Sequence, residues 1–201
     1  DKIKVIEHPD YAGEALAMRV DAPPFDNQKV RLALNLAVDR AAISKQIYGG
    51  HADFPHLPMD ETWEGYFTPP EKMPNEAREV LQYDPAKAKK LLAEAGLANG
   101  FEFKAQVPSF PEQLKKAQIV AGYLSAIGVK MTIEPKEYGA FLSLMTTGKH
   151  GPGYWHFAGM SNPTASIEKL YRSFSVWNSA RVNDPKVDAA LDTIQQERDP
   201  D

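Results

Sequence analysis

The sequence predicts an α/β fold, a mixed sheet with helices packed on it. Segments such as Phe101-Glu102-Phe103-Lys104-Ala105-Gln106-Val107 alternate apolar and polar residues with the period of a half-buried strand. Between them lie segments of roughly ten or more residues whose apolar side chains recur at helical spacing. The chain has 201 residues, 43% of them hydrophobic, enough for one sizeable core. Alternation of strands and helices along such a chain argues for layers rather than a bundle or a sandwich.

Residues 3–7 and 14–20 read as strands, joined by the turn-prone His8-Pro9-Asp10-Tyr11-Ala12-Gly13. A helix then spans residues 23–50. The Pro23-Pro24 pair fixes an extended approach, Phe25 staples the entry, and Asp26 or Asn27 offers an oxygen to the first free amides. Val30, Leu34, Ala37, Val38 and Ala41 form its apolar stripe, and Gly49-Gly50 ends it. Residues 51–83, rich in proline and aromatics and without a clear period, form a long irregular loop.

Asp84-Pro85 supplies an N-cap and a first-turn proline for a helix burying Ala88, Leu91, Leu92 and Ala95, closed by Gly96. After the strand 101–107, a helix over 111–127 buries Leu114, Ala117, Val120, Ala121 and Leu124, with Gly128 closing it. A strand over 129–134 leads to a helix over 137–147 that turns Phe141, Leu142 and Met145 inward. The breaker cluster Gly148-Lys149-His150-Gly151-Pro152-Gly153 precedes a strand over 154–158. Asn162-Pro163 caps a helix running to about residue 174. Asn183-Asp184-Pro185 caps the last helix, which buries Val187, Ala190, Leu191 and Ile194.

A formal net charge of −4 and the lack of a strong basic block argue against nucleic acid as a partner. No apolar run approaches the roughly 18–20 residues that a membrane-crossing helix needs. With no cysteine, the chain has no disulfide, thiolate metal site or cysteine nucleophile, and compartment is left open. Asp1-Lys2-Ile3-Lys4-Val5 reads as a strand under way rather than an export signal.

Four segments together resemble one family. Pro24-Phe25 through Val30-Arg31, Ala33-Leu34, Ala37, Asp39-Arg40 and Ile43 is similar to the PFxDxxVRxALxxAxDRxxI run of family 5 extracytoplasmic solute-binding proteins. These are the capture subunits of peptide- and nickel-type ABC importers. Residues 83–96, from Tyr83-Asp84-Pro85 to Glu94-Ala95-Gly96, resemble the family's YDPEKAKxLLAEAG helix; residues 121–131 and 183–192 resemble its QxxLxxIGIKV and NPEVDxLLD segments. The likeness extends from about Gly13 to Pro200. It implies that the whole chain, 1–201, is the C-terminal lobe of a periplasmic-binding-protein-like (type II) clamshell. On that reading the chain is expected to be a fragment of a longer precursor.

The resemblance implies a peptide-like or other small solute held between this lobe and a first lobe. ABC permease subunits are the implied partners, and the membrane is met only through them. The implied location is periplasmic or extracytoplasmic, and no cofactor is expected. Family members carry a YDxxxxGWxxDxxDP-like stretch facing the cleft. Here it corresponds to residues 151–163, where Asn162-Pro163 aligns but Trp155 stands about one residue early. Gly159 falls where peptide-binding members place an acidic residue, so a free ammonium is not implied as the recognised group.

Tyr154, Trp155, His156, Phe157, Met160 and Asn162 are the candidate ligand-binding residues of that stretch, because ligands of open α/β sheets gather at the carboxyl ends of strands. Strand alternation turns half of them toward the core. Ser109 and Phe110 end a strand ahead of a helix, and Trp63 lies in the long loop, which reaches the cleft rim in the family. His51, His56 and His156 have no ligand spacing with a mechanism, so no metal is expected. No GxSxG or HExxH run supports the rival reading, a small α/β hydrolase. A solute sensor on the same fold stays open, as does the solute: dipeptide, oligopeptide, opine-like compound, sugar or chelated metal.

Overall fold

Four strands form one sheet in the order β1-β4-β2-β3 in a computed structural model describing residues 12–52, 65, 67–159 and 163–196, with side chains of 12, 13, 156–159 and 163 excepted. β2 (Phe101–Pro108) pairs in parallel with β3 (Val129–Lys136) and with β4 (Gly153–Gly159), while β1 (Ala12–Met18) runs antiparallel to β4 at the other edge. The sheet is therefore mixed, as the sequence predicts. Expected strand 3–7 lies outside the described residues. Expected strand 14–20 stops at Met18, where the Arg19 amide turns to Pro152 and that of Val20 to Ala180.

The predicted helix over 23–50 is two helices, α1 (Gln28–Leu36) and α2 (Arg40–Tyr48). Asp39 sits in extended backbone and its carboxylate accepts from the Ala42 amide at 2.9 Å, which makes it a new N-cap. The Leu36 carbonyl, instead of continuing a helix, accepts from the Asp84 amide at 2.8 Å. Polar residues of the opening motif thus have structural tasks. Arg31 donates to the Phe25 carbonyl at 2.7 Å, Arg40 bonds Asn35, and Asn27 caps α1 through the Lys29 amide.

Within residues 51–83 the described part holds a 3₁₀ turn, Pro70–Lys72, and a short helix α3 (Asn75–Glu79). The chain continues through α4 (Pro85–Glu94), α5 (Pro111–Ser125), α6 (Tyr138–Thr146), α7 (Pro163–Tyr171) and α8 (Pro185–Gln196). α7 ends before the expected residue 174, and Arg172 just beyond it is clamped by Glu168 and Asp192.

One face of the sheet carries the main core. Phe103, Ala105 and Val107 of β2, Val129 and Met131 of β3, and Trp155 of β4 pack with residues of α1, α4 and α5. Phe25, fully buried, meets Phe103 edge-on at 5.0 Å. The other face has a smaller cluster, in which Tyr154 packs with Phe141 and Met145 of α6. β2 shows the asymmetry in its sequence: Phe103 and Ala105 are buried while Glu102 and Lys104 are exposed.

Gly100 and Gly128 open β2 and β3 side by side, both with positive φ (74° and 85°). A Cβ on Gly100 would collide with the Gly128 carbonyl, a backbone group that has nowhere to go. Gly100→Ala should therefore cost roughly 2–4 kcal/mol in urea denaturation, and an unchanged midpoint would refute the close approach. Asp39→Ala removes a cap and should cost about 1 kcal/mol in the same measurement, with helical circular dichroism nearly retained.

Candidate functional site

The carboxyl ends of β2, β3 and β4 lie along one edge of the sheet, because these three strands are parallel. Pro108 of β2 is level with Lys136 of β3, and the Ser109 amide extends the ladder by donating to the Lys136 carbonyl at 2.8 Å. Phe101 and Val129, like every β2–β3 pair, are 28 residues apart in sequence, and so are Phe110 and Tyr138. The level register brings those two rings together, 5.3 Å between centroids at 45°. Phe110 is the N-cap of α5 and Tyr138 the first residue of α6.

This pair is exposed, 46% for Phe110 and 43% for Tyr138, in a position where most large apolar side chains are covered. Beside it the Glu137 carboxylate accepts from the Ala140 amide at 3.1 Å and caps α6. Bonds from the amides of Gly139 and Ala140 hold its carboxyl below the usual range, against a smaller opposing effect of desolvation. α5 has no such cap: Phe110 accepts nothing through its side chain, and Pro111 brings no amide. The edge thus combines two apolar rings with the amide end of a helix.

Beneath the edge lies a polar cluster on the α5 face. The Trp155 indole N–H is shared between Gln113 Oε1 at 3.1 Å and Glu14 Oε2 at 3.3 Å. Lys116 Nζ donates to Glu14 Oε1 at 2.7 Å and to Glu112 Oε1 at 2.6 Å, 5.2 Å from the centre of the Tyr48 ring. Burial disfavours this ammonium, but hydrogen bonds with Glu112, Glu14 and Tyr48 outweigh that and raise its pKa. The cluster ties β1, β4, α2 and α5 together.

Tyr154 and Trp155 are both buried, 1% and 4% exposed, on opposite faces of the sheet. The Tyr154 ring stacks on Phe141 at 4.3 Å, and its hydroxyl donates to the Phe141 carbonyl at 3.0 Å. Neither ring is offered to a solute from the surface of this chain, because each completes a core. Ser109 and Phe110 stand at the edge. The side chains of His156 and Phe157, and all of Met160, Asn162 and Trp63, lie outside the described residues, as does His56. Sequence reasoning missed Tyr138, whose only signal is its shared spacing with Phe110. It also missed Glu14, Gln113 and Lys116, whose meeting depends on α5 packing against β1.

Among the described residues no group of three His, Asp or Glu could hold a metal ion. Nor is any helix long and apolar enough to cross a membrane. A shallow groove of about 640 Å³ follows α4, lined by Asp84, Lys87, Lys90, Leu91 and Glu94 among others, and includes none of the edge residues.

A model of the bacterial extracellular solute-binding proteins, family 5 middle region, matches residues 1–178. Heme-binding protein A of Haemophilus influenzae is 31% identical over 198 residues, covering 94% of this chain and 35% of that protein. The dipeptide-binding protein of Escherichia coli is 32% identical over 153 residues, 74% of this chain and 27% of its own length. Among solved structures, the periplasmic binding protein DppA of Helicobacter pylori with the peptide STSA superposes with TM-score 0.79 and 26% identity, covering 94% of this chain and 36% of that one. A dipeptide-binding protein of Pseudoalteromonas with Met-Leu gives TM-score 0.75 at 27% identity, covering 96% of this chain and 40% of the other. The chain thus spans about a third of the length of these relatives, all of them binding proteins by description. With the family match and the fold in agreement, this chain belongs to the bacterial extracellular solute-binding proteins of family 5.

Proposed function

We propose that this chain is one lobe of a two-lobe solute-binding protein that captures a small solute outside the cytoplasm and delivers it to an ABC permease. The observation that carries the reading is the exposed Phe110–Tyr138 pair at the carboxyl edge of the parallel strands. A solute cleft needs large apolar contact area with a few oriented polar groups, and this edge supplies both. Relatives described as binding heme and dipeptides support a bulky or peptide-like solute.

In this mechanism the solute touches Phe110, Tyr138 and Ser109 on this lobe and further groups on a companion lobe. Its greater affinity for the closed arrangement drives closure by population shift. Trp155 and Tyr154 hold the edge from beneath. His156, Phe157, Met160, Asn162 and Trp63 are further candidates on the sequence resemblance alone. No catalytic step is involved, and Gly159 offers no carboxylate to a ligand's ammonium.

Mass spectrometry of solute released by denaturing the two-lobe polypeptide should find one small molecule in near-stoichiometric amount. Turnover of that molecule on incubation would overturn the binding-only reading. Phe110→Ala and Tyr138→Ala, made in that polypeptide, should each weaken solute binding about 5- to 30-fold, or roughly 1–2 kcal/mol, without lowering the melting temperature. Unchanged dissociation constants would move the cleft elsewhere. The 201-residue chain alone should bind the same solute at least about a hundredfold more weakly in calorimetry, since the companion contacts are missing.

A further inference from the structure

At the opposite end of β4 from the aromatic edge, residues 147–152 join α6 to β4 around a buried histidine. His150 is 1% exposed, and nearly every polar atom of it is committed. Its amide donates to the Leu144 carbonyl at 3.1 Å, with Gly148 and Lys149 closing the same helix end through Met145 and Leu144. Its carbonyl accepts from Arg19 Nη1 at 3.0 Å. Its Nδ1 lies 3.1 Å from the Gly151 carbonyl, which only accepts, so Nδ1 carries the proton of the neutral ring. The remaining atom, Nε2, is buried without a partner among the described residues.

The surroundings are hostile to a second proton. Arg19 approaches from the exit of β1 and Arg181 from the loop before α8, while the Tyr154 ring of β4 lies 5.0 Å away. The carboxylate facing this group, Asp21, has both oxygens held by Arg19 at 2.8 and 2.7 Å. Gly148 has φ +70°, and a Cβ there would collide with the Arg181 guanidinium. Arg181 is itself a non-glycine residue at φ 57°, so the segment is packed tightly against a strained neighbour. Burial, the larger cause, together with Arg181 and Arg19 lowers the imidazole's pKa, against the Gly151 bond and Asp21.

We propose that His150 is an acid-sensitive pin: neutral, it seats residues 147–152 against β1 and β4; protonated, it must leave, and the end of α6 and the start of β4 loosen with it. Tyr154 links the two, because its ring stacks on Phe141 of α6 and its hydroxyl holds the Phe141 carbonyl. In the unfolded chain a histidine takes its proton near pH 6.5. The folded group takes it at lower pH, so the stability of the neutral seat is complete above about pH 6.5 and is lost as pH falls through the folded value. The device concerns this chain's own order and stands whatever the solute.

The test is a ¹³Cε1-histidine NMR titration of the full chain from pH 8 to 4.5, with amide exchange measured at steps across it. Of the five histidines, His150 should keep its neutral-form shift to lower pH than a free histidine does. Exchange across 141–154, corrected for its intrinsic pH dependence, should rise about tenfold as that residue titrates, with α4 and α5 unaffected. His150→Phe keeps a flat ring without a proton site, and should remove both the resonance and the acid-dependent exchange. Should that variant not fold, the native titration decides alone. A His150 resonance titrating near pH 6.5, or protonating with 141–154 still protected, overturns the proposal.

Discussion

The parallel pairing of β2 with β3 is the constraint from which most of this molecule follows. A constant offset between the two strands requires that they start level, which the Gly100–Gly128 contact permits by leaving no Cβ between backbones. Level starts give level ends, and level ends give Ser109 its bond to Lys136. Only then do the first residues of the two following turns, Phe110 and Tyr138, meet as a pair. A slip of β3 by one residue would turn Val129 and Met131 out of the core and separate the rings at the edge.

β4 makes the sheet a two-sided support. Trp155 faces the large core under α1, α4 and α5, and Tyr154 the small one under α6. Apolar burial on the first face is generous and contiguous, so it carries most of the folding free energy. The second face is held by few side chains and by directed polar contacts: the Tyr154 hydroxyl on Phe141, and Gln106 on the Gly151 amide at 3.0 Å. A region with few apolar contacts and several specific bonds opens at lower cost than a broad core. The acid-sensitive segment lies on that thinner side.

Charges near the edge are organised rather than merely exposed. Lys116, with its side chain only 9% exposed, is compensated by Glu14 and Glu112, whereas the side chains of the pair Lys130–Glu102 are 67% and 68% exposed. The first geometry fixes the position of Trp155 through the shared Glu14 carboxylate; the second contributes little, since exposed pairs are screened. Removing Glu14 would leave a buried cation and an indole donor sharing one fewer acceptor. Exposed pairs such as Lys29–Glu94, between α1 and α4, orient helices that apolar packing already holds.

The sequence by itself determined the fold class, the position of nearly every described helix and strand, and the family. Those depend on local chemistry: Asp84-Pro85 caps a helix and Phe101–Val107 alternates whatever surrounds them. The sequence did not show that residues 23–50 break at Asp39, because the carbonyl that would have continued the helix is claimed by Asp84, 48 residues away in the chain. Nor did it show which aromatics reach solvent. Tyr154 and Trp155 read as a binding surface and became core, while Tyr138, inconspicuous at a helix start, became half of the exposed pair. The reason is physical. Periodicity states which residues share a face, but only the register between strands and the helices laid over them decide which face is covered.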